Sequence, residues 1–194
     1  MFSSIAEKIT RQLEANGVVK SEDREIYRYG IKQGLLIMLN LSTTLLLGIV
    51  TGMFWESIIF LAAYMLLRRY AGGFHAKTPA CCYIYSSAMV LLVMLGIKYM
   101  FDSILISICT LIVGGVVIFL FSPIEDKNKP LDVTEQLVYQ KRTRFYLLVE
   151  IILDIAMMCL GWKVIYEPIS MSLFCLGVLV ALGKFKNVKI EQRK

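Results

Sequence analysis

The chain holds a single histidine, His75, and a cysteine, Cys82, stands seven residues after it. An imidazole that accepts a thiol proton, beside a thiolate that attacks a carbonyl, is the working pair of nucleophilic acyl transfer. Seven residues of unbroken helix span about 10 Å along the axis, too far for the proton to pass directly. The helix must therefore break between them, and the sequence supplies the break. Gly72-Gly73 admits unusual backbone angles, and Thr78-Pro79 reads as an N-cap followed by proline at the first helical position. Cys82 then falls in the first turn of the next helix, where the dipole favours negative charge and a neighbouring imidazole favours thiolate. Spacing alone does not choose between Cys82 and the adjacent Cys81. The plain alternative is that His75 is an interfacial or core residue with no chemistry.

Other ionisable residues deserve the same weighing. Arg68 and Arg69 precede the glycine pair; they suit substrate carboxylates or a scissile carbonyl, and suit equally the role of snorkelling anchors at a helix end. Glu150 and Asp154 lie four apart, hence on one helix face, inside an apolar run, and such acids point to a protein interior or a wet cavity. One of them is a candidate to orient His75 as a third catalytic member; a structural pairing, for instance with Arg68, explains them as well. Cys109, Cys159 and Cys175 lie within apolar runs and behave as small packing residues. With five cysteines, no C-x-x-C pair, and one histidine without clustered carboxylates, neither a disulfide framework nor a metal site is expected, and no cofactor is implied.

The elements that must position these residues are membrane helices. Of the 194 residues 57% are apolar, and mean hydropathy is +0.65, beyond what a water-soluble fold conceals. A hydrocarbon core about 30 Å thick takes roughly 20 apolar residues per span. The apolar runs are Gly34–Phe54, Trp55–Leu67, Cys81–Ile97, Ser103–Phe121, Phe145–Ile165 and Ser170–Leu182. The second and sixth are short, and Glu56 interrupts the second, which is read as a re-entrant or tilted helix. The expected architecture is an all-α polytopic membrane bundle of about six transmembrane segments. Residues 1–33 form an amphipathic interfacial region, with Ile5, Ile9 and Leu13 at helical spacing; residues 34–183 form the membrane domain, and residues 184–194 a basic tail. Six crossings with both termini cytoplasmic place 19 of the 21 basic residues inside, leaving Lys98 and Lys163 outside. The net charge of +6 thus reads as contact with anionic lipid headgroups rather than nucleic acid.

The run Arg69-Tyr70-Ala71-Gly72-Gly73-Phe74-His75-Ala76-Lys77-Thr78-Pro79, with cysteine seven positions after the histidine, resembles the signature of the accessory gene regulator protein B (AgrB) family. The stretch Ser122-Pro123-Ile124-Glu125-Asp126-Lys127-Asn128-Lys129-Pro130-Leu131 is similar to that family's second recognisable segment. Length, spans and basic N-terminal region agree along essentially the whole chain. The resemblance implies a membrane thiol protease of a quorum-sensing system, with His75 as catalytic base and Cys82 as nucleophile; the vicinal Cys81 is a departure. It implies as partner a propeptide of the AgrD type, cleaved before its C-terminal tail through a thioester and closed to a thiolactone or lactone autoinducing peptide. Such tails are acidic, so Lys127 and Lys129, with Lys141, Arg142 and Arg144 of the same loop, are candidate tail-binding residues; the competing reading is the ordinary positive-inside role. A homodimer is left open. Two readings from other classes remain: a small carrier or channel lined by Asp154, Glu150 and His75, and a thiol redox protein using Cys81-Cys82, ranked last because adjacent cysteines form strained disulfides.

Overall fold

The computed structural model describes residues 2–74, 78–99, 103–125 and 132–191. These residues form seven α-helices, with no strand among them: α1 (Phe2–Ala15), α2 (Arg24–Thr51), α3 (Phe54–Ala71), α4 (Pro79–Tyr99), α5 (Ile104–Phe121), α6 (Val133–Cys159) and α7 (Lys163–Glu191). The all-α bundle expected from the sequence is the fold. Helices α2, α4, α5 and α7 are each long and apolar enough to cross a membrane. α3 has 18 residues, about 27 Å of rise, and α6 has 27, but both carry ionisable side chains within their length.

Four helices depart from the apolar runs: α6 begins at Val133 rather than Phe145, so Lys141, Arg142 and Arg144 are helical rather than on a loop, and α7 spans Lys163–Glu191 rather than Ser170–Leu182. The first long helix begins at Arg24 rather than near residue 34, so the charged approach is the first part of α2 itself. The second run is a full helix that continues through Arg68 and Arg69 to Ala71. Charge at a helix end weakens a hydropathy signal without interrupting the backbone hydrogen bonds, which is why the apolar runs of α2 and α3 end early.

α1 packs on the first turns of α2 through Glu7, which accepts hydrogen bonds from Arg24 at 2.6 Å and Arg11 at 3.2 Å. The Arg24 bond above all holds the Glu7 carboxyl below its usual range, so this contact keeps its charges near neutral pH.

α7 runs through the middle of the bundle. Its residues Ile169, Leu173, Leu176 and Val180 are buried against Ala63 and Leu67 of α3, Leu111 and Ile118 of α5, and Leu147 of α6. A second apolar cluster joins Met53, Phe60, Val90, Met94 and Met171 where α2, α3, α4 and α7 meet. Large apolar side chains elsewhere point outward: Leu105, Ile112 and Leu120 of α5 are all more than half exposed. Such a surface suits lipid. In lipid, helix association depends on close packing by small residues, because apolar burial drives nothing. The α5–α7 contact has this character. A Cβ on Gly114 would stand 2.5 Å from the Leu173 carbonyl carbon, and one on Gly177 would stand 3.0 Å from the Gly114 Cα.

Gly114→Ala is therefore expected to destabilise the bundle by about 3 kcal/mol or more, the upper end of overpacking costs, because backbone rather than a side-chain tip blocks the methyl group. Gly115→Ala should be tolerated, since its Cβ meets only Ile151 Cδ1 at 3.5 Å. Thermal unfolding of the detergent-purified variants checks the pair; equal melting temperatures would show that α5 and α7 do not meet through Gly114.

Candidate active-site cavity

The chain leaves the helical conformation after Ala71, and its backbone polar groups need partners at membrane depth. Gly72 and Gly73 take φ angles of 68° and 127°, where a side chain is strained. Space forbids one as well: a Cβ on Gly72 would stand 2.2 Å from the Ile124 carbonyl oxygen, and one on Gly73 2.1 Å from Arg68 Nη1. The Arg68 guanidinium donates to the Gly72 carbonyl at 2.6 Å and to the Phe74 carbonyl at 2.7 Å. The Phe74 amide donates to Leu179 O of α7 at 2.8 Å, and the Ile124 amide to Ala71 O at 2.9 Å. The non-helical stretch is thus tied to its own helix, to α7 and to the segment after α5.

The chain re-enters a helix as the sequence predicts. Thr78 Oγ1 accepts from the Cys81 amide at 3.2 Å, Thr78 O accepts from the Cys82 amide at 3.0 Å, and Pro79 opens α4. Cys82 sits in that first turn. Both thiol-bearing residues are exposed, but only Cys82 lines a cavity of about 550 Å3 between α3, α4 and α7. Arg68, Phe74 and Cys82 share its wall with Tyr64, Tyr85 and Ser86, and the remaining lining is largely aliphatic side chains of α4 and α7. Cys81 is not part of the wall.

His75, Lys127 and Lys129 lie outside the described residues. Arg68 is brought to the cavity, with two guanidinium nitrogens engaged by backbone carbonyls. Arg69 is not: it is exposed and stacks over the Tyr70 ring at 5.7 Å. The same ring lies 5.3 Å from Tyr146 in a parallel stack and 5.4 Å from the Arg142 guanidinium. Glu150 and Asp154 are buried in the bundle, and neither lines the cavity. Asp154 Oδ2 accepts from Ser170 Oγ at 2.7 Å. Ser170 precedes Leu179 by nine residues of α7, about 13 Å along the axis, so Asp154 is well separated from the Phe74 tie.

Residues that sequence reasoning did not single out include Tyr64, Ser86 and Leu179. Phe74 belongs to the quoted motif, and Ser86 is one turn beyond Cys82. Leu179 had no signal, since its part is a backbone carbonyl.

The described geometry is that of a polytopic helical membrane protein with a cysteine at a helix start, facing an apolar cavity closed by a glycine-rich break. The sequence matches the Accessory gene regulator B family over residues 5–183, and the chain belongs to that family. It is 26% identical over 181 residues to "Putative AgrB-like protein 2" of Clostridium perfringens (strain 13 / Type A), covering 87% of this chain and 82% of the relative. It is 25% identical to a "Putative AgrB-like protein" of C. perfringens strain SM101, covering 90% and 84%, and 30% identical to one of Clostridium acetobutylicum, covering 66% and 64%. No solved structure matches the chain. Family membership gives the protein a role in the accessory gene regulator system, a quorum-sensing system of the membrane.

Arg68→Ala removes two charge-assisted bonds from the glycine break, and hydrogen exchange at the Phe74 amide is expected to accelerate about tenfold or more. Asp154→Asn should leave that amide unchanged. Unaltered exchange in Arg68→Ala would mean that α7 alone holds the segment.

Proposed function

We propose that the protein is a membrane cysteine endopeptidase that removes the C-terminal tail of an AgrD-type propeptide and passes the remaining acyl group to a nucleophile within the same peptide. The observation that carries this reading is the placement of Cys82 in the first turn of α4, facing a cavity whose wall includes Phe74, the residue that precedes His75 in the chain.

His75 takes the Cys82 proton, and the thiolate attacks the carbonyl carbon at the end of the future signal. The tetrahedral adduct collapses as the C–N bond breaks. The departing amine takes its proton from the imidazolium, which leaves a thioester on Cys82 and a free tail. A cysteine thiol or serine hydroxyl of the propeptide then gives its proton to His75 and attacks the thioester, releasing Cys82 and closing a thiolactone or lactone. Exchange of one thioester for another is nearly balanced, so departure of the tail supplies direction, and the apolar cavity disfavours hydrolysis.

In this reading α2 to α7 all cross the cell membrane, and both termini are cytoplasmic. Arg68 holds the break that presents His75. Arg69, Lys127 and Lys129 bind the acidic tail of the propeptide, and Glu150 and Asp154 are structural acids of the bundle. The partners are the propeptide and membrane lipids.

A carrier without peptidase activity is the second reading, favoured by the buried Glu150 and Asp154, most of whose carboxylate oxygens have no hydrogen-bond partner among the described residues. Co-expression with the short peptide encoded beside the gene, with mass spectrometry of the products, separates the two. Cys82→Ala and His75→Ala are expected to lower cleavage by at least about 1,000-fold, and Cys81→Ala by less than about threefold. Identical products from all variants would remove the peptidase reading and leave the carrier.

A further inference from the structure

Ser86 follows Cys82 by four residues of α4, so the two side chains lie on one face of the helix with their Cβ atoms about 5–6 Å apart, and both line the cavity. A hydroxyl carries one proton and two lone pairs, and here the proton is already engaged. Ser86 Oγ donates to Asn40 Oδ1 of α2 and lies 2.9 Å from the Tyr83 carbonyl oxygen, another acceptor. The Asn40 amide presents its oxygen to Ser86 because its Nδ2 donates to Leu36 O at 3.0 Å. Neither Asn40 nor Tyr83 belongs to the cavity wall. The Ser86 proton therefore points out of the cavity, and what Ser86 offers to a molecule inside is lone pairs.

The other polar groups of the wall differ from it. The Arg68 guanidinium only donates, the thiols are weak acceptors, and the hydroxyls of Tyr64 and Tyr85 can act either way. Ser86 is thus an acceptor whose direction the fold has fixed, one turn beyond the nucleophile. In the acyl transfer described above, the attacked carbonyl carbon comes within about 3–3.5 Å of Cys82 Sγ. The amide nitrogen of the same substrate residue stands about 2.5 Å from that carbon, and a hydrogen bond adds about 2.9 Å. With a bend at each joint these lengths bridge the gap from Cys82 to Ser86. The nitrogen on the other side of the scissile bond leaves with the tail and takes its proton from His75, which precedes α4 in the chain. Ser86 lies farther along α4, so the acyl side of the substrate is the side that meets it. An N–H placed against a wall this apolar is costly unless an acceptor receives it.

We propose that Ser86 is a substrate-binding residue which accepts a hydrogen bond from the backbone amide of the residue acylated onto Cys82, with Asn40 as the positioning residue that turns its lone pairs toward the cavity. The proposal rests on the peptidase reading above and adds a requirement to it. The last residue of the future signal must carry an N–H, so proline is excluded from that place while side chains of many kinds are allowed.

The test uses the full chain in lipid nanodiscs and two synthetic forms of the short peptide encoded beside the gene. One is the ordinary peptide. In the other an ester oxygen replaces the N–H of the residue whose carbonyl is cleaved, a residue that mass spectrometry of the ordinary products identifies. Tail release is followed below KM, so that the rate reports kcat/KM. With the unaltered protein the ester form is expected to react about tenfold more slowly, because the acceptor has lost its donor. Ser86→Ala should slow the ordinary peptide by a similar factor and the ester form by less than about twofold, and Ser86→Thr, which keeps the hydroxyl, should restore the difference between the two peptides. A purely structural role for Ser86 between α2 and α4 would slow both peptides alike. Equal rates for the two peptides with the unaltered protein overturn the proposal without any variant having to fold, and so does a Ser86→Ala protein that slows both by one factor. A protein that never cleaves the ordinary peptide removes the peptidase reading and this contact with it; cleavage of both peptides at one rate removes the contact alone.

Discussion

A bilayer offers no water to a peptide group, and the site of this protein is built around one place where the helix is broken regardless. Every polar group freed by the break has to be satisfied by protein. Among the described residues, Arg68 gives two guanidinium bonds to the carbonyls of Gly72 and Phe74, and α7 accepts from the Phe74 amide through the carbonyl of Leu179. A charged side chain at the end of a membrane helix is commonly read as an anchor to the headgroups. Here its charge faces backbone dipoles, which allows a basic residue to sit in the wall of an otherwise apolar cavity.

The other constraints follow from that break. The segment is narrow because Gly72 lies against Ile124 and Gly183 against Phe74, so no side chain fits on the inner side of either glycine. Restarting the helix needs a cap, and Thr78 with Pro79 provides one that fixes where the first turn falls. The position of Cys82 along the axis is therefore set by the cap, while two polar pairs, Asn40–Ser86 and Thr43–Tyr83, join α4 to α2.

The sequence made the break legible because its devices are local. Gly72-Gly73 and Thr78-Pro79 each carry a backbone meaning that does not depend on the rest of the fold, and the structure bears out both. Helix type was also readable, since apolar runs of this length have one solution in a membrane; four of the described helices are long and apolar enough to cross one. The ends of α2 and α3 were misplaced because Arg24 to Lys32 and Arg68 to Arg69 interrupt hydropathy without interrupting the helix. The fate of Glu150 and Asp154 was not readable: spacing puts them on one face of α6, but which neighbour that face meets is a tertiary fact, and it meets Ser170 rather than the cavity. Asn40 and Thr43 stood in plain view as polar residues in an apolar run. Their partners, more than 40 positions away in one case and 40 in the other, were beyond any local rule.

The central claim is that Cys82 becomes an acyl carrier, and the most direct measurement is the mass of the enzyme itself during turnover. Purified protein is mixed with propeptide, quenched in acid within the first turnover and digested for peptide mass spectrometry. The account predicts a hydroxylamine-sensitive adduct on Cys82 whose mass equals the propeptide without its C-terminal tail. Cleaved propeptide with no adduct, or an adduct carried by Cys81, would contradict it.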